Sequence, residues 1–371
     1  MAAVVEQTRP ARNESLIEDA TRAYEAWMGR FTPIVPADIT LKHQHMKSDA
    51  FRFLRATFYR WQQRWPAVCH ADFHAPIVLA VADLHIENFG TWRDQEGRLI
   101  WGVNDFDEAC QLPYTNDLIR LATSAFLAIE ATHLRLAPAE AAAAILGGYT
   151  EALRSGGQPL VLEGDHPGLR EMALSALRDP GTFWEHLRSG RRLTGTLPRG
   201  ARKALEALLP KSIAGYEVRR RVAGVGSLGR PRLVAVAQWQ GGWIAREAKA
   251  RVPSACVWSG ALETRGYRDI LKRAVRVPDP YLQIRRRWIV RRLAPDCGRI
   301  ELANLPKARD EHRLLHAMGK DTANIHLGSA PARRILNDLG KRPAAWLETS
   351  ARVMAEETIR DWDRWRHHSE H

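Results

Sequence analysis

Three polar residues in the first third of the chain have the types and spacing needed for phosphoryl transfer. Asp83 and Asn88 are separated by four residues, and Asp105 follows in the sequence Asn104-Asp105-Phe106-Asp107. An aspartate at the first position can accept a proton from a hydroxyl, whereas amide and carboxylate oxygens can hold Mg²⁺ on ATP phosphates. We therefore expect a proton acceptor at Asp83 and metal ligands at Asn88 and Asp105.

Two short apolar segments are predicted to present these residues. Residues 77–81 form a continuous apolar run typical of a buried strand, and residues 99–103 form the return strand. Pairing of these two strands would bring both acidic loops to one end of a short hairpin. The carboxylates would repel each other there unless a divalent cation lay between them. The alternative is that these aspartates cap local turns.

Helices are predicted on either side of these strands. In the helix over residues 50–64, Arg55 lies near the apolar face. It is either a candidate anion contact or a surface arginine with a buried stem. In the helix over residues 117–132, Asp117 is either a cap or a brace for the backbone of the loop that carries Asp83.

A glycine-rich segment later in the chain could supply phosphate contacts. The sequence Gly224-Val225-Gly226-Ser227-Leu228-Gly229 lies between predicted strands at 216–223 and 233–237, and Lys249 lies on the next strand, residues 243–250. A dinucleotide-binding fold would need a helix after the glycines, whereas a strand on each side of a glycine loop suits a loop that folds over ATP phosphates. The alternative is an ordinary glycine-rich hairpin with a surface lysine.

The charge of the chain favours anionic partners. Its 371 residues carry a formal net charge of +13, which favours nucleotides, nucleic acid or acidic lipids. The basic stretch at 285–292 could contact phosphates or form the solvated face of an edge strand, and Glu263 is a candidate partner for Lys249. No zinc-finger, RRM or RGG pattern is present, so nucleic acid is not the expected partner.

Other features of the composition indicate a cytoplasmic protein. The four cysteines are widely spaced and include no C-x-x-C pair, which argues against a zinc ribbon and a disulfide scaffold. No apolar run reaches about 18 residues, so we expect no membrane span. The first 20 residues are acidic and have no apolar core, unlike a secretory signal.

These motifs resemble those of known enzymes. Residues 82–88 and 104–107 are similar to the Brenner motif and the metal-binding aspartate of aminoglycoside phosphotransferases and choline kinases. Nearly the whole chain resembles the bacterial DUF2252 family, an uncharacterised group placed with kinase-like folds. The matching segments are residues 51–61, 83–90, 101–109, 112–125, 224–229 and 246–254. The sequence Val81-Ala82-Asp83 departs from the His-Gly-Asp of phosphotransferases.

The resemblance implies a role for each candidate residue. Asp83 would be the catalytic base, and Asn88 and Asp105 would be Mg²⁺ ligands, with Asp107 as a further metal contact. Lys249 would pair with the ATP phosphates. The phosphate loop would comprise Gly224, Gly226, Ser227 and Gly229.

The predicted fold is α+β, a protein kinase-like bilobal fold that is circularly permuted because the glycine loop and the lysine follow the catalytic aspartate. An N-terminal helix and loop (1–47) would precede a helical lobe (48–212), a β-rich nucleotide-binding lobe (213–300) and C-terminal helices that pack on the helical lobe (301–371). The expected function is ATP- and Mg²⁺-dependent phosphoryl transfer to a hydroxyl of a small molecule. The alternatives are AMP transfer, a nucleotide-binding pseudokinase and a basic nucleic-acid-binding protein.

Overall fold

Three antiparallel sheets lie among the helices of this chain. The structure is a computed structural model that describes residues 15–164, 166–175, 179–261, 266–298 and 310–368. Helices occupy most of the first and last parts of this range, and the largest sheet lies between them in sequence. The chain therefore has the predicted α+β class.

The helices are named in chain order. The first seven are α1 (Ile17–Met28), α2 (Pro36–Ser48), α3 (Ala50–Ala56), α4 (Phe58–Val68), α5 (His70–Phe73), α6 (Tyr114–Glu130) and α7 (Pro138–Ser155). The others are α8 (Pro167–Ser175), α9 (Pro180–Ser189), α10 (Arg199–Glu206), α11 (Ala255–Trp258), α12 (Gly266–Arg273), α13 (Glu311–Leu327), α14 (Ala332–Leu339) and α15 (Trp346–His367). No helix in the described ranges is both long and apolar enough to cross a membrane.

The strands form sheets of two, three and five members. The small sheets contain β1 (Ile77–Ala80) with β4 (Cys110–Pro113), and β2 (Phe89–Arg93) with β3 (Leu99–Val103) and β5 (Leu160–Val161). The five-stranded sheet has the order β6 (Glu217–Arg220), β7 (Arg232–Trp239), β8 (Gly242–Ala250), β10 (Trp288–Leu293) and β9 (Gln283–Arg285). Neighbouring strands in all three sheets are antiparallel.

The strand pairing corrects the predicted hairpin. Strand β1 pairs with β4, and β3 pairs with β2, because the short turn after Arg93 closes a hairpin between β2 and β3. Asp83 and Asp105 therefore follow strands of different sheets. The two loops still meet, since the Asn104 N–H donates to the Asn88 carbonyl at 3.0 Å.

The predicted helix over residues 50–64 is broken into α3 and α4 at Thr57. The Thr57 hydroxyl donates to the Phe53 carbonyl at 2.7 Å, where the backbone N–H of a continuous helix would bind. The Thr57 N–H instead bonds the Leu54 carbonyl. The break leaves the carbonyls of Leu54 and Arg55 at the end of α3, next to the candidate site.

Two further boundaries differ from the prediction. Residues 36–47, which fall in the predicted N-terminal helix and loop (1–47), belong to α2. The first residue of α2 is a proline, which helices accept at that position. Helices α9 and α10 fall within the predicted helical lobe but pack on the five-stranded sheet. Leu187 of α9 lies in one apolar cluster with Val234 and Val236, and Leu205 of α10 lies in another with Ala248 on the opposite face. The β-rich part therefore begins before residue 213.

Most buried apolar side chains outside this sheet form one continuous core. Within it, α13 packs against α7 and α15 packs against α6. The C-terminal helices thus close the part of the chain that carries the acidic loops, and they hold α6 in position beside those loops.

Candidate functional site

The loop after β1 holds Asp83 with an unusual backbone conformation. The preceding residue, Ala82, has a φ of 71°, which is unfavourable for a residue with a Cβ and needs support from its surroundings. The N–H groups of Val81 and Ala82 donate to the Asp117 carboxylate at 2.7 and 2.9 Å. His326 Nε2 lies 3.1 Å from the same carboxylate. Asp117 is therefore the brace of this loop and not a helix cap.

Arg120, which the sequence alone does not single out, holds one oxygen of Asp83. Its Nε and Nη2 donate to Asp83 Oδ1 at 2.9 and 2.5 Å, and Nη2 also donates to the Leu54 carbonyl. The guanidinium lies over the rings of Phe58 and Trp61. Burial raises the pKa of Asp83 to about 7, against the opposing charge of Arg120.

The predicted metal ligands lie on the neighbouring loop. The Asn88 amide donates to the Asp83 carbonyl at 2.5 Å, and the Asp107 N–H donates to Asp105 Oδ1 at 3.3 Å. Asp107 Oδ1 is buried and has no hydrogen-bond partner in the described part of the chain. A buried carboxylate oxygen without a donor suits a cation ligand.

A metal ion at this site would need ligands from a substrate as well as from the protein. No group of three His, Cys, Asp or Glu side chains among the described residues could hold an ion. Asp105, Asp107 and the Asn88 amide oxygen could hold Mg²⁺ only if other ligands, such as phosphate oxygens, completed its coordination. This sharing suits Mg²⁺, which is commonly bound through one or two carboxylates and substrate phosphates.

Lys249 connects the five-stranded sheet to these carboxylates. Its Nζ lies 2.5 Å from Asp107 Oδ2 and 3.4 Å from Asp105 Oδ2. Arg230 also reaches Asp107 Oδ2, at 3.1 Å, and Glu108 at 3.2 Å. Burial and the Asp105 charge raise the pKa of Asp107, and the two cations oppose this rise. The side chains of Lys249 and Arg230 thus lie beside the carboxylates of Asp105, Asp107 and Glu108.

The middle of the glycine loop lies directly against Asp83. A Cβ at Gly226 would lie 2.7 Å from the Arg55 carbonyl and 3.7 Å from Asp83 Oδ2. Only a glycine allows the loop to approach so closely. The φ of 75° at Gly224 also favours a residue without a Cβ. The loop therefore lies beside Oδ2 of the candidate base.

One cavity is bordered by most of the predicted site residues. They are Asp83, Asn88, Asp105, Asp107, Gly224, Gly226, Ser227 and Lys249. Gly229 does not line this cavity. It packs against Ile39, and its carbonyl accepts from the Val35 N–H at 2.9 Å, so its positive φ serves the turn into β7.

The other charged residues that the sequence suggested as candidates lie in different surroundings. Arg55 lines the cavity and pairs with Glu87 at 2.5 Å, so it is not a surface arginine. In the basic stretch, residues 285–287 are exposed, whereas Arg291 contacts Glu247. Glu263, the candidate partner of Lys249, lies outside the described residues.

Sequence reasoning missed Arg120 and Arg230. A signal for Arg120 existed, because it is a charged residue in a helix that is apolar on its buried side, and such a charge needs a partner. Arg230 follows the glycine loop directly, and no sequence pattern indicates that it reaches Asp107 and Glu108.

Comparison with known proteins adds one similarity. Residues 30–166 match the family described as "Uncharacterized protein conserved in bacteria (DUF2252)". The matched segment includes Asp83, Asn88, Asp105 and Asp107 but ends before the glycine loop and Lys249. No curated protein and no solved structure matches the chain.

Proposed function

We propose that this chain is an ATP- and Mg²⁺-dependent phosphotransferase that acts on a hydroxyl of a small molecule. The observation that carries the proposal is the single cavity shared by Asp83, the Asp105–Asp107 carboxylates and the glycine loop with Lys249. These groups come from distant parts of the chain, and each has a counterpart in phosphoryl transfer. Local turn capping would not bring them together.

The predicted site residues and Arg120 have defined parts in the proposed reaction. Asp83 Oδ2 accepts the hydroxyl proton as the hydroxyl oxygen bonds to the γ-phosphorus and the bond to the leaving ADP oxygen breaks. Arg120 holds Oδ1, so the other oxygen stays directed at the cavity. Lys249 and the loop N–H groups offset the phosphate charge. Bound Mg²⁺, on Asp105, Asp107 and Asn88, would neutralise phosphate charge further.

We also infer that the fold is a circularly permuted, bilobal kinase-like fold. The acidic loops belong to the helical part, which comes first, and the glycine loop and Lys249 belong to the sheet part, which comes second. Both line one cavity, and contacts rather than chain order define such a site. The cytoplasmic location expected from the sequence would supply ATP.

Calorimetric titration of the full chain with ATP, with and without Mg²⁺, tests the proposal. We expect Mg²⁺-dependent binding that falls at least tenfold in Asp105→Asn, since a metal ligand and its charge are lost. Asp363→Asn, a change of the same type at an exposed residue of α15, should leave the affinity within twofold of wild type.

Absence of Mg²⁺-dependent ATP binding by the wild type would contradict the proposal. If ATP binds, incubation with a metabolite mixture and [γ-³²P]- or [α-³²P]-labelled ATP separates phosphate transfer from AMP transfer. Binding without any transfer would indicate a pseudokinase. Salt-dependent binding of DNA or RNA in the absence of ATP would instead support a nucleic-acid-binding protein.

A further inference from the structure

The five-stranded sheet carries a compact group of charged side chains beside Lys249. Glu247 contacts Arg232 at 3.1 Å, Arg291 at 3.0 Å and the guanidinium of Arg221. In the strand pairing, Val234 of β7 lies opposite Glu247 on one side, and Arg291 of β10 lies opposite it on the other side. Lys249 is two residues further along β8. These side chains therefore share one face of the sheet. We call Glu247, Arg221, Arg232 and Arg291 the arginine cluster.

The charges of the arginine cluster do not balance. Three guanidiniums surround one carboxylate, so the four side chains carry a net charge of +2, and Arg221 and Arg291 form ion pairs with no other carboxylate in the described ranges. The charge of Asp105, which is close by, acts on Arg291 and Arg232 and offsets part of this surplus. Burial favours the neutral acid of Glu247, yet the three arginines hold its pKa well below the usual range. Surplus charge on largely buried groups is costly unless a counter-ion approaches. Arg221 and Arg291 are partly exposed, so an anion can reach them.

The arginine cluster adjoins the glycine loop and the acidic residues. Arg232 Nη2 donates to Ser227 Oγ at 2.6 Å, and Ser227 lines the cavity. Lys249, on the same face, contacts Asp105. A chain of phosphates could thus extend from the carboxylates, past Lys249, to the arginines.

The same face is unsuited to an aromatic base. A base needs apolar surface on which to stack, and the apolar part of this face at Val234 and Val236 is covered by Phe183 and Leu187 of α9. Ile289, which lies opposite Lys249 on β10, is buried, so the accessible side chains beside Lys249 are charged. We propose that the arginine cluster is a subsite for the polyphosphate chain of the nucleotide, with the base directed away from the sheet. This inference deepens the proposed function and rests on it for the identity of the nucleotide.

Calorimetric titration of the full chain with inorganic tripolyphosphate, without Mg²⁺ and at low salt, tests the subsite directly. We expect binding that weakens about tenfold in Arg291→Gln and in Arg221→Gln, because each loses charge-assisted hydrogen bonds to the anion. Glu247 keeps two partners in either variant, so both should fold. Arg285→Gln removes the same charge from an exposed residue of β9 and should change the affinity less than twofold. Adenosine should bind these variants and the wild type equally.

The outcomes separate this inference from the phosphotransferase proposal. Tripolyphosphate binding that Arg221→Gln and Arg291→Gln leave unchanged would overturn the subsite, even if the wild type binds Mg²⁺–ATP. Binding weakened by both variants supports it, even if ATP shows no Mg²⁺ dependence and the phosphotransferase proposal fails. A purely structural cluster would lower the thermal midpoint of unfolding in these variants without altering tripolyphosphate affinity. If Arg291→Gln fails to fold, Arg221→Gln, at a residue that lies just after β6 and not within a strand, decides alone.

Discussion

Arg120 illustrates how a single buried charge can organise a site. The side chain is fully buried, and its guanidinium bonds to Asp83 and to the end of α3. In this setting a charge is tolerated only with its partner, because each member compensates the desolvation of the other. The pair therefore determines both the orientation of Asp83 and the local stability.

Replacing Arg120 alone should destabilise the fold more than replacing both Arg120 and Asp83. We expect Arg120→Gln to lower the free energy of unfolding by about 3 kcal/mol, because Asp83 is left without its counter-charge. The double variant Arg120→Gln/Asp83→Asn should regain at least about 1 kcal/mol of this loss. Urea unfolding monitored by tryptophan fluorescence measures both values.

Arg22→Gln serves as the control for this cycle. Arg22 forms an exposed pair with Asp19, and loss of such a pair costs less than about 1 kcal/mol. An Arg120→Gln variant as stable as the wild type would show that the buried pair does not support the fold.

At the scale of elements, the carboxyl group of Asp321 makes a hydrogen bond between α13 and β3. Asp321 Oδ2 accepts from the Val103 N–H at 2.7 Å. A Cβ at Gly102 would lie 2.8 Å from the same oxygen, so the glycine makes this approach possible. Burial raises the pKa of Asp321 to about 6. The contact is therefore sensitive to pH.

The sign of this dependence follows from proton linkage. The folded chain binds the Asp321 proton more tightly than the unfolded chain does, so this group stabilises the fold at low pH. Its contribution is lost as the pH rises from about 4 to about 6. Asp321→Asn keeps an acceptor for the Val103 N–H without becoming charged. Its stability relative to wild type should rise by about 1 kcal/mol between pH 5 and pH 8.

Urea unfolding of both proteins at pH 5 and pH 8 checks this prediction. Asp363→Asn, which changes an exposed carboxylate, provides the baseline and should show little change between the two pH values. A stability difference for Asp321→Asn that is independent of pH would contradict the assignment.

At the scale of the whole molecule, the glycine loop and several ion pairs are among the contacts that connect the sheet part to the helical part. Gly226 touches the end of α3, and Lys249 and Arg230 reach the acidic residues after β3. The sheet itself is covered by α9 and α10, with small apolar clusters of its own. The position of the loop therefore depends on close contact across the cavity.

A methyl group at Gly226 should disturb this contact. We expect Gly226→Ala to lower the free energy of unfolding by about 1 kcal/mol or more, because its Cβ would overlap the Arg55 carbonyl. Gly242→Ala is the matched control, since a Cβ there meets no atom within 4 Å, and it should be neutral or slightly stabilising. Urea unfolding compares the two, and equal stabilities would show that the loop is not held against α3.

Local patterns in the sequence determined the main elements and the candidate chemistry. The apolar runs of β1 and β3, the helix around Asp117 and the strands on either side of the glycine loop were predictable. Burial and backbone preference act on neighbouring residues there, so the pattern is visible without the fold. Asp83 and Lys249 were recognisable as candidates because residue type and spacing limit the chemistry.

Only the tertiary structure decided which of these elements and residues meet. It paired β1 with β4, made Asp117 a brace instead of a cap, moved Gly229 away from the cavity wall and connected Asp83 to Arg120. Each of these outcomes depends on contacts between residues far apart in the chain. Such contacts are set by how whole elements pack, and no local pattern of residue types records that packing.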